Sequence, residues 1–149
     1  MITKSAGAVI FRKEGDKIFY LLLHYLSSAK APKDYWDFSK GHIEKGEKEI
    51  ETVKREIEEE TGIKDLKFID GFKETEKYFF KDRGETVFKT VSYLLAETKT
   101  KEVKLSFEHI GYKWLPFEEA LAQLTFENAK EILRKANDFL MRHAQEDAI

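Results

Sequence analysis

Carboxylates crowd one short stretch of the sequence, between Glu44 and Glu60. The stretch contains eight glutamates and only four basic residues, although like charges on neighbouring turns of a helix repel one another. At a helical step of about 100° per residue, Glu56, Glu59 and Glu60 fall on one face. Carboxylate oxygens suit Mg²⁺ or Mn²⁺, and Mg²⁺ would keep several waters while contacting substrate phosphates. The competing interpretation is a solvated acidic helix that binds no ion.

The pattern also predicts the elements that position these carboxylates. Ile50, Val53 and Ile57 form an apolar stripe beside the glutamate face, so the segment is predicted to be a helix packed on a sheet. Gly62 suits the left-handed position that ends a helix, and Ile63 can supply the accompanying hydrophobic contact. The glutamates would then lie at the edge of the core, where their mutual repulsion is screened less than on an open surface.

The spacing of the segment favours a cation-binding site, because it resembles the signature of the Nudix hydrolases at every fixed position. The matching residues are Gly41, Glu47, Arg55, Glu56, Ile57, Glu59, Glu60, Gly62 and Ile63. The resemblance implies an α+β protein with the Nudix fold, an α/β/α sandwich whose central mixed β-sheet carries the glutamate helix. It also implies cleavage of a nucleoside diphosphate linked to another group.

The same resemblance implies roles within the motif. Glu56, Glu59 and Glu60 match the metal ligands of the family, and Glu56 and Glu60 are also candidate catalytic residues. Bound Mg²⁺ or Mn²⁺ would neutralise the diphosphate and lower the pKa of the attacking water. Arg55 and Glu47 are expected to pair with each other or with neighbouring carboxylates and so hold the helix and its loop. The set assigned to structural support is Glu47, Arg55, Gly41 and Gly62.

Similarity beyond the motif points to the asymmetrical dinucleoside tetraphosphatases, the diadenosine tetraphosphate hydrolases. Three stretches carry it: YWDFSKGHIEKGE, FKTVSYLLAE and SFEHIGYKWLPFEEA. Glu108 matches a distal glutamate that reaches back to the metal site, as a ligand or as the general base. Without the resemblance, Glu108 would be interpreted as an ordinary loop carboxylate. Ser39 stands where the family usually has proline, a departure that loosens the loop and leaves Lys40 in place.

Candidate substrate contacts lie on both sides of the motif. By the resemblance, Lys40 next to the metal site would bind phosphate, and His42 would bind phosphate or orient the loop. Tyr78 resembles a base-stacking tyrosine, as expected for an adenine that needs a flat apolar clamp. The remaining candidates are Phe126 as a second wall of the clamp and Lys81 and Lys89 along the phosphate path. The neighbouring aromatics Phe79, Phe80 and Phe88 are assigned to the core.

Three functions are consistent with these residues. The first is hydrolysis of dinucleoside polyphosphates, chiefly diadenosine tetraphosphate to ATP and AMP, by in-line attack of a metal-activated water. The second keeps the motif but acts on 5′-triphosphorylated RNA, a diphosphoinositol polyphosphate or another nucleoside diphosphate derivative. The third is a nucleotide sensor without catalysis. In such a sensor some of the motif glutamates would be replaced by other residues, whereas here all of the motif glutamates are present.

Length and composition limit the remaining possibilities. A chain of 149 residues with 42% apolar residues is expected to form a single domain, 1–149. The absence of cysteine excludes disulfides and thiolate metal sites, and no run of apolar residues would span a membrane. A net charge of −2 excludes a globally basic nucleic-acid binder but leaves local patches open. We expect a cytoplasmic protein with no stable nucleic-acid partner, whose oligomeric state the sequence leaves undetermined.

The order of elements favours an α+β sandwich. SAGAVIFRK and KIFYLLLHYL are predicted to form a hairpin, followed by a loop containing Pro32 and a short strand at WDF. Strands are also predicted within LKFIDGFKETEKYFF, ETVFKTVSYLLAET and GYKWL. Pro116 suits the first turn of a helix, and the final amphipathic helix has Thr125 as its candidate cap. Strands and helices therefore do not alternate regularly, as they would in a doubly wound sheet.

Overall fold

The computed structural model describes residues 2–28 and 33–147 and shows an eight-stranded mixed sheet with helices on both faces. The predicted α+β sandwich is confirmed, while residues 29–32 of the predicted Pro32 loop lie outside the described part of the chain. The strands are β1 (Ile2–Glu14), β2 (Lys17–Tyr25), β3 (Tyr35–Asp37), β4 (Ser39–His42), β5 (Lys67–Phe68), β6 (Glu74–Asp82), β7 (Glu85–Glu97) and β8 (His109–Leu115). The helices are α1 (Glu49–Thr61), α2 (Phe117–Gln123) and α3 (Glu127–Asp147).

Strand β1 is the centre of the sheet. It pairs antiparallel with β2 and β4, and it pairs parallel with β7 over ten residues, from Ile2 with Phe88 to Phe11 with Glu97. The sheet is mixed because β6 then adds antiparallel to β7. Successive side chains of a strand point to opposite faces, so this central strand contributes to two separate hydrophobic layers.

The two faces of the sheet have different covers. On one face, called the α1 face, Ala6, Ala8 and Leu94 pack with Val53 and Ile57 of α1. The other face, called the α3 face, packs mainly on α2 and α3. Its buried residues include Val9, Val91, Tyr93, Leu95, Ala120, Leu133 and Ala136. Every side chain on a strand near the site can therefore be assigned to one of these two layers.

Helix α1 has the predicted end but not the whole predicted stripe. Gly62 has φ 77°, and its N–H donates to the carbonyl of Glu58, which closes the helix as expected. Val53 and Ile57 are fully buried, whereas Ile50 is 39% exposed and its assignment to the stripe was wrong. The helix begins only at Glu49, so Ile50 lies in the first turn, before the first buried residues of the helix, Thr52 and Val53.

The predicted cap of α3 is also wrong, and the reason matters for the site. Thr125 Oγ1 accepts a hydrogen bond from the backbone N–H of Trp36 at 2.8 Å. This oxygen is therefore bonded to strand β3 and does not cap α3. The carbonyl of Phe126 accepts the N–H of Lys130 at 3.1 Å, which starts the helix one residue later. Pro116 likewise stands just before α2 and accepts the N–H of Ala120. The bond to Trp36 fixes Phe126 beside β3.

The hairpin of β6 and β7 carries two aromatic rings that the sequence assigned to the core. Phe79 is 72% exposed and Phe88 is 55% exposed, so that assignment was wrong for both. Both rings lie on the α1 face, on a part of the hairpin that helix α1 does not cover. Phe80 points to the opposite face and is partly buried.

Over the described residues, no helix has the length and apolar character needed to cross a bilayer.

Candidate active site

Glycine 41 lets the end of β4 pass directly beneath the side chain of Glu56. A Cβ atom built at Gly41 would overlap the carboxyl carbon of Glu56, far inside van der Waals contact. Only glycine leaves this space open. The motif glycine therefore positions one of the predicted metal ligands through close approach of backbone and side chain.

Arg55 joins the loop before α1 to the carboxylates on the helix. Its Nε donates to Glu47 Oε2 at 2.8 Å, its Nη1 to Glu56 Oε1 at 2.7 Å and its Nη2 to the carbonyl of His42 at 3.0 Å. Hydrogen bonds from Arg55, Thr52 and the backbone of Glu44 lower the pKa of Glu47 to about 2. The pairing that the resemblance implied for Arg55 and Glu47 is present in the structure.

Glu60 is the most buried carboxylate of the motif. Only 6% of the residue is exposed, and its Oε2 accepts a hydrogen bond of 2.5 Å from Ser39 Oγ. Burial raises the pKa of Glu60 to about 8; the Ser39 hydrogen bond opposes that change, and the charges of Glu56 and Glu108 reinforce it. Glu60 therefore holds a proton near neutral pH unless a cation compensates its charge.

His109 is a buried neighbour of Glu60 that the sequence left unassigned. Its side chain is fully buried, Nδ1 lies 3.0 Å from Ser106 Oγ, and Nε2 lies 4.0 Å from Glu60 Oε2. This Nε2 has no hydrogen-bond partner among the described residues. Burial lowers the pKa of His109, partly offset by the Glu108 charge, so the ring is predominantly neutral at pH 7. No pattern in the sequence marks this histidine, because its contact joins β8 to α1.

Glu108 lies in the exposed turn that precedes β8. The turn is held against the end of α1, because the N–H of Ser106 donates to the carbonyl of Glu60 at 3.2 Å. Burial is the main cause that raises the pKa of Glu56, and the charges of Glu59 and Glu108 add to it. The same two charges also act on Glu60. Glu56, Glu59, Glu60 and Glu108 thus lie within electrostatic range of one another, and we call them the carboxylate cluster.

The carboxylate cluster supplies the oxygen donors that a hard divalent cation prefers. As arranged, no three acidic or histidine side chains among residues 2–28 and 33–147 already form a metal-binding group. Arg55 accounts for part of this arrangement, because it bonds Glu56 and its Nη1 lies 3.6 Å from Glu59 Oε2. The residues still fit a cation, since two carboxyls with raised pKa values lie together and an added positive charge would favour their ionisation.

Lys40 lies on the opposite face of β4 from the cluster. Ser39 points to the α1 face, so its neighbour Lys40 must point to the α3 face. Its Nζ lies 3.1 Å from Asp37 Oδ2 and 3.5 Å from Tyr93 Oη. Burial opposes the charge of Lys40, but the Asp37 carboxylate raises its pKa above the ordinary value. The expectation that Lys40 would lie next to the glutamates is therefore corrected.

Aromatic rings lie around Lys40, although Tyr35 pairs in register with Tyr25, which packs with the α1-face layer. The Tyr35 ring lies 5.3 Å from the Phe126 ring and stacks on Tyr25 at 4.9 Å. Burial raises the pKa values of Tyr35 and Tyr78, and the charge of Lys40 partly lowers both. We call Tyr35, Tyr78 and Phe126 the aromatic wall. Sequence analysis missed Tyr35, although its two-residue offset from Asp37 along β3 places both side chains on one face.

The other predicted contacts divide between the faces. Lys89 pairs in register with Tyr78 and shares its face, as predicted for a residue along the same path. Lys81 lies an odd number of residues from Tyr78 on β6 and points to the α1 face, so it cannot line that path. His42 ends β4 on the face of Lys40, with Nδ1 3.4 Å from Ser5 Oγ. Strand alternation decides each of these placements.

Comparison with known proteins agrees with this fold. A model of the NUDIX domain matches residues 1–136, and the chain belongs to the NUDIX family of hydrolases. The asymmetrical bis(5′-nucleosyl)-tetraphosphatase of Mus musculus is 36% identical over 150 residues, covering 94% of this chain and 97% of the relative. The enzyme of the same name from Caenorhabditis elegans is 36% identical over 143 residues, covering 94% and 98%.

A solved structure extends the similarity to three dimensions. The crystal structure of a binary complex of the C. elegans Ap4A hydrolase superposes with a TM-score of 0.77 at 34% identity. The match covers 93% of this chain and 98% of that one. The similarity therefore includes the sheet, the glutamate helix and the segment that follows.

Proposed function

We propose that the protein hydrolyses dinucleoside polyphosphates, chiefly diadenosine tetraphosphate, to ATP and AMP. The observation that carries this proposal is the placement of the carboxylate cluster and of Lys40 on opposite sides of one short strand, β4, with the aromatic wall around Lys40. Such a site has separate places for the reacting phosphate and for a nucleoside with its remaining phosphates. The two tetraphosphatases described above, which match almost the whole chain, support the same substrate class.

Glu56, Glu59, Glu60 and Glu108 would hold the divalent cation, Mg²⁺ or Mn²⁺. When bound, the cation neutralises phosphate charge and lowers the pKa of water. Ser39 orients the Glu60 carboxyl through its 2.5 Å hydrogen bond, and Gly41 leaves the space that Glu56 needs. Glu108, exposed on a turn anchored to α1, would bind the cation or accept a proton from the attacking water.

Lys40, on the α3 face, would bind phosphate, and the aromatic wall around it would bind a nucleobase. A lysine held charged by Asp37 offers a fixed cation to a phosphate that the metal does not reach. Phe126 is 45% exposed, so one face of its ring remains available for stacking. Lys89 would extend the cationic path beside Tyr78, and His42 would bind phosphate or orient the loop at the end of β4.

Product analysis in ¹⁸O-water tests this function. Purified protein with Mg²⁺ is incubated with diadenosine tetraphosphate, 5′-triphosphorylated RNA and a diphosphoinositol polyphosphate at equal concentrations. We expect ATP and AMP as the preferred products, with the heavy oxygen in one of them, which identifies the phosphorus attacked. Faster turnover of the triphosphorylated RNA would instead favour the alternative substrate class.

Two variants separate an enzyme from a nucleotide sensor. Glu60→Gln should remain folded and lose turnover by roughly 10³-fold or more, since its carboxylate is required for the cation. Glu58→Gln is the matched control, because Glu58 lies on the same helix but is exposed, 3.8 Å from Lys64. If both variants and the unmodified protein bind nucleotide equally and none releases product, the protein is a sensor.

A further inference from the structure

The α1 face of the sheet continues beyond helix α1 as an open surface, which we call the hairpin face. It consists of aligned side chains from β1, β7 and β6. One row is Ile2, Phe88 and Phe79, the next is Lys4, Thr90 and Lys77, and the outermost pair is Thr86 and Lys81. The register places each row across adjacent strands, and alternation directs all eight side chains to the face that α1 covers farther along the sheet.

The central row of the hairpin face is unusually apolar for a surface. Ile2 is 73% exposed, Phe79 72% and Phe88 55%, and the three are direct cross-strand neighbours. The centroids of the two phenyl rings lie 6.1 Å apart with an angle of 50° between the ring planes, so neither ring covers the other. Single exposed apolar residues are ordinary, whereas a contiguous exposed group marks an interaction site.

The charge of the hairpin face indicates an anionic partner. Three of its eight residues are lysines and none is acidic, in a chain that has 28 acidic and 26 basic residues. The charge of Lys4 also acts on Glu49, but that carboxylate already accepts a 2.5 Å hydrogen bond from Lys73. The net charge of −2 conceals this local concentration of positive charge. A second copy of the chain bound isologously would bring the same lysines together, which disfavours a dimer contact here.

We infer that the hairpin face binds single-stranded nucleic acid, with bases stacked on Phe79 and Phe88 and phosphates held by the lysines. Lys77 and Lys81 flank Phe79 on one strand and are about 13 Å apart, from a rise of about 3.3 Å per residue. Aromatic rings on an open sheet with lysines around them provide the stacking and charge that such polymers require. A duplex would offer no base faces to the rings.

This surface is distinct from the site of the proposed function. Lys40 and Tyr78 lie on the α3 face, whereas the hairpin face lies on the α1 face. The carboxylate cluster shares the α1 face, but its residues belong to α1 and to the turn before β8 and none is part of the hairpin face. Along β1 the hairpin face begins at Lys4, two residues before Ala6, and Ala6 pairs with Gly41 of β4. Binding there requires neither the carboxylate cluster nor a metal. The inference therefore stands or fails independently of the hydrolytic activity.

Fluorescence anisotropy with ten-nucleotide oligoadenylates tests the inference. The oligomers, one RNA and one DNA, carry a 3′ label and no 5′ phosphate, and EDTA with 50 mM NaCl prevents metal-dependent hydrolysis. We expect a dissociation constant of about 10⁻⁵ M that weakens with salt, with a log–log slope near −2 for three lysines. Phe79→Ala/Phe88→Ala should raise it at least about tenfold. Binding of either polymer with this loss supports the inference.

A pair of lysine variants provides the matched control. Lys4→Ala/Lys77→Ala should weaken binding and flatten the salt slope, whereas Lys13→Ala/Lys99→Ala makes the same charge change at the other end of the sheet and should have no such effect. Circular dichroism and thermal melting confirm that each variant is folded. Equal weakening by both lysine pairs would overturn the inference, as would the absence of binding by the unmodified protein at 1 mM.

The test also distinguishes two other partners for the hairpin face, a second copy of the chain and an anionic membrane. Sedimentation velocity would reveal a dimer that dissociates in Phe79→Ala/Phe88→Ala while oligonucleotide binding is unchanged. Phosphatidylserine vesicles would reveal membrane binding that is lost in the same variant, again without an effect on oligonucleotides. Either result would assign the hairpin face to a different partner and overturn the inference.

Discussion

Ser39 Oγ donates a 2.5 Å hydrogen bond to Glu60 Oε2, inside the layer between β4 and α1. Proline, which the family usually has at the position of Ser39, has no hydroxyl and could not donate this bond. The bond lowers the pKa of Glu60 against the larger opposing effect of burial. In this protein the pKa of a predicted metal ligand is therefore set partly by a residue that departs from the pattern of the family.

Removing the Ser39 hydroxyl should move the pH dependence of hydrolysis. Ser39→Ala deletes the hydrogen bond that favours ionised Glu60, so the acidic limb of the kcat/KM profile in Mg²⁺ should shift to higher pH. Ser27→Ala, at an exposed loop position, is the control and should leave the profile unchanged. An unshifted profile for Ser39→Ala would mean that Glu60 does not control the acidic limb.

Without metal, the stability of the protein should fall as pH rises. Glu60 has a folded-state pKa of about 8 against an ordinary glutamate pKa of 4.5, so between these values the folded state binds more protons than the unfolded state. The free energy of unfolding in EDTA should therefore decrease from about pH 4.5 to about pH 8, by on the order of 3 kcal/mol. Urea titrations across this range measure the slope.

Glu60→Gln is the variant that isolates this slope. It should be less dependent on pH and more stable than the unmodified protein at pH 8.5, because no buried carboxylate has to ionise. Glu58→Gln, whose side chain is exposed, should keep the original slope. Identical slopes for the two variants would show that Glu60 is not the group responsible.

Gly41→Ala should disturb the site more than any exposed glycine substitution. The new Cβ would overlap the Glu56 carboxyl group, the end of a flexible side chain, so Glu56 must change rotamer and we expect a loss of at most about 1 kcal/mol in unfolding free energy. Displacement of Glu56 should also reduce turnover by roughly 100-fold. Gly111→Ala is the control, because its Cβ would lie at an ordinary 3.7 Å from His24. Equal stability and turnover of the two variants would contradict the role assigned to Gly41.

Phe126→Ala should weaken substrate binding more than it affects chemistry. Loss of one stacking surface is expected to raise KM about tenfold, with a smaller change in kcat because the ring would hold the nucleobase and not the reacting phosphate. Phe88→Ala removes an exposed ring from the hairpin face and should leave both constants unchanged. A fall in kcat without a rise in KM would remove Phe126 from the aromatic wall.

The local parts of the site could be predicted because one helix and its two ends define them. The step of about 100° per residue places Glu56, Glu59 and Glu60 together whatever the rest of the chain does, and the helix end at Gly62 follows from local backbone geometry. Ile50 shows the limit of this reasoning. Its burial depends on where the helix begins relative to the sheet, which the periodicity of the helix does not determine.

The strand residues show a different limit. Lys40 and Lys81 were placed by their proximity in sequence to the glutamate motif and to Tyr78, but adjacent or odd-spaced residues of a strand point to opposite faces. That alternation was available from the sequence once the strands were assigned. The exposure of Phe79 and Phe88 could not be derived from the sequence, because it depends on how far helix α1 extends over the sheet.

His109 could not have been predicted as a neighbour of Glu60. The contact joins residues 49 positions apart in the chain, and it depends on the turn that Ser106 anchors to the end of α1. Tyr35 and Phe126 meet across a still longer separation, through the bond between Thr125 and Trp36. Such contacts follow from tertiary packing and leave no periodic pattern in the sequence.

The most direct measurement is an anomalous difference map from crystals soaked in Mn²⁺. The account predicts a strong peak bounded by carboxylate oxygens of Glu56, Glu59 and Glu60, with Glu56 rotated away from Arg55. A map without a peak there, in which Glu56 still bonds Arg55 and Glu60 still bonds Ser39, would contradict the assignment of the carboxylate cluster as the metal site.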